Sequence, residues 1–255
     1  MKNIFLATGA LLLSVSLSFV SCKKNSTPAG AGGSTTSSNY TFSAKGDISG
    51  TYSGFLFEIY EAVPGYTVST AQAGFFNTPI AMQISSNTPH PSTGTVSSVY
   101  FNNTHLPYDP STLSYSDSTQ ALTFPPAVWL INGNATFPSF TYTCTTTLPV
   151  YTNAAGLPAT INRSQNLVIP ISGASGYDQI EVDIDDASSN SQSIFLPASV
   201  TSVTFVKDSL VKLSATSNGG SLNILLIKYN PQTIAGKTYL FAAVKAYSKS
   251  GVAIQ

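Results

Sequence analysis

The sequence predicts an all-β fold, and three observations support this: the composition, the alternation of side chains along short segments, and the spacing of turns. Serine, threonine, glycine, proline and aromatic residues are abundant, whereas only 9% of the 255 residues are charged. Because helix-favouring residues such as Glu, Lys, Arg and Met are scarce, the balance favours strands and turns. A hydrophobic content of 42% is sufficient for a packed core.

The first folded region is predicted over residues 40–148, as one antiparallel β-sandwich domain. Its segments are rich in aromatic and branched residues, and clusters of Ser, Asn, Asp and Pro separate them. Asn132-Gly133 is a strong signal for a hairpin turn between the last two segments. The predicted strands are residues 55–60, 79–84, 95–101, 121–124, 127–131 and 137–145.

The second region, residues 149–255, has strands at the spacing expected for an immunoglobulin-like sandwich. Turns are predicted at residues 173–176, at 218–220 and at Asn230-Pro231. Residues 222–227 are apolar almost throughout, which predicts a central strand covered on both faces. The predicted strands are residues 166–172, 179–184, 193–196, 203–206, 210–215, 222–229, 239–246 and 252–255. The predicted fold is therefore two immunoglobulin-like antiparallel β-sandwich domains.

The amino-terminal segment, residues 1–21, has the features of a secretory signal. Lys2 gives a positive start, residues 4–20 are apolar apart from Thr, Gly and Ser, and a small residue precedes Cys22. The run is too short and too rich in serine for a typical membrane span of about 20 residues. An ordinary signal with a chance cysteine, or an uncleaved anchor, remains the alternative. Residues 22–39 follow as a flexible, low-complexity linker.

The end of this segment resembles a bacterial lipoprotein signal. Val20-Ser21-Cys22 fits the last three positions of a lipobox, while Phe19 departs from the usual Leu. The resemblance implies cleavage before Cys22 and lipidation of Cys22, and two acyl chains anchor a protein stably to a bilayer.

The residues after Cys22 bear on the location. A Cys-Lys-Lys start is common in lipoproteins of Bacteroidota, and Lys23-Lys24 contains no aspartate that would signal inner-membrane retention. The resemblance therefore implies the outer membrane. Its periplasmic or surface face stays open, because residues 25–27 lack the acidic residues of the usual surface-export signal.

A second resemblance covers residues 97–186, which look like a group of secreted Bacteroidota lipoproteins of unassigned function. It rests on residues 127–134, 137–142, 148–149 and 175–182. The resemblance implies a two-sandwich lipoprotein and no particular activity. Residues 244–251 are also similar to the last strands of fibronectin type III-like modules, although the second region lacks the buried Trp of such modules.

Charge and cysteine content exclude several classes of protein. The formal net charge is zero, which argues against a nucleic-acid surface. If Cys22 is lipidated, Cys144 has no disulfide partner. Strand alternation places Cys144 on one face with Phe140 and Tyr142, so it is predicted to be a small buried hydrophobe. A reactive thiol is disfavoured because no basic residue is near in sequence.

One acidic cluster is a candidate metal site. Glu181, Asp183 and Asp185 alternate with apolar residues and share one face of a strand, and Asp186 lies at its end. Their oxygens could hold Ca²⁺, which prefers 6–8 oxygen ligands. The favoured alternative is the solvated face of an amphipathic strand, because the run lacks a Gly- and Asn-bearing calcium loop. No other cofactor is predicted.

No catalytic residue is predicted. His90 and His105, the two histidines, lie in turn-rich segments, and no Gly-x-Ser-x-Gly motif is present. Their spacing does not suit a metal site. A glycosidase needs only two carboxylates without fixed spacing, so that class of enzyme stays open.

Aromatic residues are the candidate ligand contacts. Trp129 has apolar neighbours on both faces of its strand, which favours a core position over sugar stacking. Tyrosine combines contact area with a polar tip, and sheet tyrosines also occur without a ligand. The candidate ligand-binding residues are Tyr60, Tyr66, Tyr100, Tyr108 and Tyr115.

Two short motifs, Asp117-Ser118-Thr119 and Asp208-Ser209-Leu210, resemble the O-glycosylation motif of Bacteroidota envelope proteins, which implies modification of Ser118 and Ser209. The expected function is non-catalytic binding or adhesion to a glycan or protein. The alternatives are a structural envelope lipoprotein without a ligand and a carboxylate-dependent hydrolase.

Overall fold

The computed structural model describes residues 51–63, 66–81, 93–110, 113–117 and 127–255. Within these ranges the regular elements are strands, one short 3₁₀ turn and one short α-helix, so the all-β prediction is confirmed. The predictions for the signal segment, Cys22, the linker, His90, Ser118 and the strand at 121–124 lie outside the described residues.

The described residues of the first region contribute nine strands. Two are long, and the rest have six residues or fewer. The strands are β1 (Thr51–Val63), β2 (Tyr66–Ala81), β3 (Thr93–Gly94), β4 (Ser98–Phe101), β5 (Thr104–Leu106), β6 (Tyr108–Asp109), β7 (Ser114–Asp117), β8 (Ala127–Asn132) and β9 (Phe140–Cys144).

The second region contributes nine further strands, the 3₁₀ turn Ala154–Gly156 and the helix α1 (Lys207–Leu210). Its last two strands are the longest described. The strands are β10 (Val150–Tyr151), β11 (Thr160–Ile161), β12 (Leu167–Pro170), β13 (Ala174–Ser175), β14 (Gln179–Asp185), β15 (Ser191–Pro197), β16 (Ser202–Phe205), β17 (Thr216–Ile234) and β18 (Lys237–Ile254).

One long sheet joins strands from both regions, in the order β15-β14-β17-β18-β1-β2-β7-β6. A four-stranded sheet, β5-β4-β8-β9, and the pairs β10-β13 and β12-β16 complete the described sheets. Most neighbours are antiparallel, as expected. The parallel pairs β1-β18 and β11-β18 are a correction to the all-antiparallel prediction. They arise because β18 joins strands distant in sequence, where no hairpin dictates direction.

Two hydrophobic cores lie along one face of the long sheet. One core contains only residues from Tyr151 onward, and β14 and β17 supply its sheet side. The other is built from the first region, with Tyr239 and Phe241 of β18 added. The core of the first region therefore takes residues from both sides of the expected division at residues 148/149, and the long sheet crosses that division as well. The division into domains at residues 40–148 and 149–255 stays a prediction.

The β17–β18 hairpin differs from the sequence expectation. The turn is at Ala235 and Gly236, both at positive φ, as a two-residue hairpin turn requires. Asn230-Pro231, expected to be a turn, lies within β17. The proline is tolerated because β14 pairs with β17 only as far as Ile227, so Pro231 needs no N–H for a second neighbour.

The expected strand at residues 210–215 is wrong. α1 ends at Leu210, and Leu213 lies one turn further on, so both side chains enter the core from a helical turn. The strands expected at 239–246 and 252–255 are one strand, β18, with Gly251 at a φ of 70°. The central strand expected at 222–227 is confirmed, because every residue in it is buried.

Candidate functional site

The acidic cluster lies on β14, which pairs with β15 on one side and β17 on the other. Ile180, Val182 and Ile184 point into the core as predicted. Glu181 and Asp183 lie on the opposite face, which is not the solvated face expected, because Glu181 is only 3% exposed.

Burial changes the acid–base behaviour of this cluster. Desolvation, with the negative charge of Asp183 added, raises the pKa of Glu181 to about 9. Desolvation also raises the pKa of Asp183 to about 6, against a hydrogen bond from Ser193 that lowers it. The two carboxyls hydrogen-bond each other, so they share a proton at neutral pH. Glu181 Oε2 and Asp183 Oδ1 have no hydrogen-bond partner, and neither has Oδ1 of Asn223, which lies opposite Asp183 on β17.

Asp186 does not join the other three acidic residues. Its carboxylate accepts hydrogen bonds from the backbone N–H groups of Ser188, Asn190 and Ser214 and closes a loop. Burial alone would raise its pKa, but these hydrogen bonds outweigh burial and hold the pKa well below its usual range. In the described part of the chain, no group of three His, Cys, Asp or Glu side chains is arranged to hold a metal. The Ca²⁺ site stays a prediction for the three residues that share a face.

A second buried carboxyl, Glu58, was not singled out from the sequence. It is 2% exposed and lies in the core between β1 and the β8–β9 hairpin, beside Cys144 and Trp129. Burial raises its pKa to about 7, and the Cys144 thiol and Trp129 indole lower it only in part. Neither carboxyl oxygen has a hydrogen-bond partner of normal geometry. The sequence did contain a signal for this buried carboxyl: Glu58 is the one charged residue of the apolar segment 55–60.

The core positions predicted for Cys144 and Trp129 are confirmed, with exposures of 3% and 1%. Burial and the charge of Glu58 raise the pKa of the Cys144 thiol, which disfavours a reactive thiolate. The expectation that both faces of β8 are covered holds only on the side of Trp129. Leu130, on the other side, is 37% exposed.

The structure does not bring the five candidate tyrosines together. Tyr60 is buried, and Tyr115 is buried with its hydroxyl hydrogen-bonded to the N–H and C=O of Val96. Tyr108 is half-buried and packs on Tyr115, with 5.0 Å between ring centroids. The Tyr66 side chain lies outside the description.

Tyr100 is the one described candidate on an outward sheet face. It lies on β4, between His105 of β5 and Leu130 of β8. The Tyr100 and His105 rings meet edge to face at 5.2 Å. His105 and Leu130 are exposed and Tyr100 is half-exposed, and we call these three side chains the Tyr100 platform. On the inward face, Trp129 packs edge to face on Phe101 at 4.9 Å, so the sheet beneath the platform rests on packed aromatic side chains.

A shallow pocket of about 380 Å³ lies between β10, the 3₁₀ turn and β12. Tyr151, Leu157 and Pro170 form its apolar walls, and Asn153 is a polar residue at its edge. The Asn153 side chain donates a hydrogen bond to the Ser172 carbonyl, so it is held in place by the loop. No residue predicted from the sequence lines this pocket.

The proposed glycosylation residue Ser209 lies on α1, half-buried, with its hydroxyl donating to the Val206 carbonyl. Its modification stays a prediction. Among the described residues, no helix has the length and apolar character needed to span a membrane. Comparisons of the chain with models of protein families, with curated proteins and with solved structures found no match.

Proposed function

We propose that this chain is a lipid-anchored protein of the bacterial outer membrane that binds a glycan or protein ligand without catalysing a reaction. The anchor is supported by the sequence, through the signal-like residues 1–21 and Cys22. The proposal includes two immunoglobulin-like sandwiches, supported by the strand spacing and by the two separate cores.

The Tyr100 platform is the observation that carries the binding function. A half-exposed tyrosine flanked by an imidazole and an aliphatic side chain offers both apolar area and hydrogen-bonding groups. Trp129 beneath the platform is fully buried, so the ligand-facing side chains stand on a rigid sheet. A rigid surface loses less conformational entropy when a ligand binds.

A glycan array and an envelope-protein pull-down test this function. We expect binding to fall about tenfold or more in Tyr100→Ala, because central aromatic contacts dominate such surfaces. Leu130→Thr should weaken binding less. Val168→Thr is the matched control, since Val168 is also an exposed aliphatic residue on a strand, away from the platform. Ligand binding that is unaffected by Tyr100→Ala would contradict the platform, and the absence of any ligand would favour the structural alternative.

The anchor has a separate test. Palmitate should label the wild-type protein, and Cys22→Ser should abolish both the labelling and fractionation with the membrane. Cys144→Ser is the control, because Cys144 is buried in the core and should not affect labelling. Membrane association that survives in Cys22→Ser would remove the anchor from the proposal.

A carboxylate-dependent hydrolase is a second candidate, favoured by one observation. Glu181 and Asp183 are paired carboxyls with pKa values displaced to about 9 and about 6, the kind of separation that divides acid and base roles. Two features argue against it. The carboxyls hydrogen-bond each other, whereas glycosidase pairs stand about 5 Å or more apart, and Glu181 is only 3% exposed. We expect no hydrolysis of envelope polysaccharides, and a hydrolytic activity that is lost in Glu181→Gln would instead favour the hydrolase.

A further inference from the structure

Strand β15 forms one edge of the long sheet. It pairs with β14 from Ser191 opposite Asp185 to Pro197 opposite Gln179. No other described strand pairs with its outer side. One carbonyl, that of Ser191, accepts a hydrogen bond from the Gln192 side chain. The other outward backbone groups of this seven-residue strand have no strand partner among the described residues, and unpaired edges of this kind can accept a strand from another chain.

This edge lacks the usual protection against added strands. Exposed edges are commonly shielded by charged side chains, bulges or a central proline. β15 has the sequence Ser-Gln-Ser-Ile-Phe-Leu-Pro, with no charge and with proline only at its end. Its register with β14 is unbroken along all seven pairs, so no bulge twists it away. Ile194, Phe195 and Leu196 are half-exposed, which gives an added strand apolar side chains to contact.

The strand behind this edge adds a charge preference. Asp183 and Asp185 lie on β14 directly opposite Ser193 and Ser191. Among the described residues, the one ion pair joins Lys228 to Asp178, so neither aspartate is paired with a cation. Among the described residues, the side-chain donors to Asp185 are neutral, namely the Ser221 hydroxyl and the Asn223 amide.

The side chains on the path across β15 to these aspartates are the small Ser191 and Ser193, and Ser193 hydrogen-bonds Asp183. An added strand would stand about 4.8 Å beyond β15 and about 9.6 Å from β14. The four-carbon stem of a lysine covers most of that distance and places its ammonium group near the carboxylates. Next to Phe195 the same face of the added strand would need an aromatic or aliphatic residue.

We propose that the β15 edge binds an extended peptide segment by strand addition, and that the segment carries basic side chains opposite Ser191 and Ser193. In an antiparallel arrangement the segment has an apolar residue opposite Phe195. Basic residues follow two and four positions later, opposite Ser193 and Ser191. The surface does not involve the Tyr100 platform, because β15 and β4 belong to different sheets. Peptide binding at the β15 edge can therefore be tested independently of ligand binding at the Tyr100 platform.

A blocked peptide, Thr-Val-Tyr-Val-Lys-Thr-Lys, is the probe, and its Kd is measured by fluorescence anisotropy. Hydrogen exchange of the β15 amides should slow when it binds, because strand addition protects the edge. We expect the version with Glu in place of both lysines to bind at least about tenfold more weakly at low salt. A backbone N-methylated version should not bind, since it cannot complete the ladder.

Two protein variants test the charge contribution, whereas the N-methylated peptide tests the backbone contribution. Asp183→Asn combined with Asp185→Asn should raise the Kd about fivefold, and Asp208→Asn, an exposed acid on α1, should leave it unchanged. Ser193→Lys should remove the preference for lysine, because its own ammonium group occupies the path. Equal binding of the Lys and Glu peptides, no protection of β15, or binding unchanged in both variants would overturn the proposal. Self-association of the protein that competes with the peptide would overturn it as well, by assigning the edge to a second copy.

Discussion

Replacing Glu58 with Gln isolates the effect of one buried charge on stability. In the folded protein burial holds the pKa of this carboxyl at about 7, whereas its ordinary value is 4.5. Between these two pH values the unfolded chain releases the proton and the folded chain keeps it. Stability therefore falls as pH rises through this window and levels off above about pH 7, when both states are ionised.

The size of the effect follows from the displacement of the pKa. One pKa unit corresponds to about 1.4 kcal/mol, so the displacement from 4.5 to about 7 corresponds to about 3 kcal/mol. Gln is neutral at every pH and close in shape to protonated Glu. We expect Glu58→Gln to match the wild type at pH 4.5 and to be more stable by about 3 kcal/mol at pH 8.

Urea denaturation at several pH values measures this difference. Trp129 is the one tryptophan of the chain and is buried beside Glu58, so its fluorescence reports the unfolding of this core. Far-UV circular dichroism should give the same midpoints if unfolding is two-state. Asp208→Asn is the control, because it removes an exposed acid and should leave the pH dependence unchanged. If the stability curves of wild type and Glu58→Gln stay parallel from pH 4.5 to pH 8, the assignment of a buried, protonated Glu58 is wrong.

Three further changes test other parts of the structure by the same denaturation assay. Asp186→Asn should lower stability by about 1–3 kcal/mol at neutral pH, because its carboxylate accepts charge-assisted hydrogen bonds such as that from Ser214, and the difference should shrink below about pH 3. Tyr115→Phe should cost about 1–2 kcal/mol, since it leaves both backbone groups of Val96 unpaired in the core. Gly236→Ala should cost about 1 kcal/mol, because its φ of 78° strains any residue with a Cβ.

Each of these changes has a control and a contradicting outcome. Asn190→Ala should be milder than Asp186→Asn, and the reverse order would contradict the role of the carboxylate. Tyr108→Phe removes a hydroxyl from a half-buried ring and should cost little, so an equal loss in both tyrosine variants would contradict the Val96 contact. Gly156→Ala meets no atom within 4 Å and has no positive φ, so it should be nearly neutral.

Much of the strand content could be predicted from the sequence, because side-chain alternation reflects burial on one face. The segments at 127–131 and 179–184 match β8 and β14 closely, and Trp129 and Cys144 are in the core as expected. The wrong strand prediction has a local cause. Residues 210–215 are rich in apolar and branched residues, and that composition outweighed the helical spacing of Leu210 and Leu213.

The candidate sites were less predictable, because convergence of side chains depends on distant strands. Glu181, Asp183 and Asp185 share a face by alternation alone, but their burial depends on the packing around β14. Tyr60 and Tyr100 are both in strands, and nothing in their local sequence shows that one faces the core and the other faces outward. The burial of Glu58 depends on β8 and β9, which bring Trp129 and Cys144 against it from distant parts of the sequence.

The sequence by itself determined that this chain forms strands, where most of them lie and which side chains alternate, since these properties depend on neighbours a few residues apart. Tertiary structure decided that β1 pairs in parallel with β18, that two cores share one sheet, and that β15 is left at an edge. Those outcomes depend on contacts between residues far apart in sequence, such as Gly54 with Tyr239, which are 185 positions apart. No local pattern encodes such contacts, because the free energy of strand pairing comes from cross-strand packing and backbone hydrogen bonds between both partners.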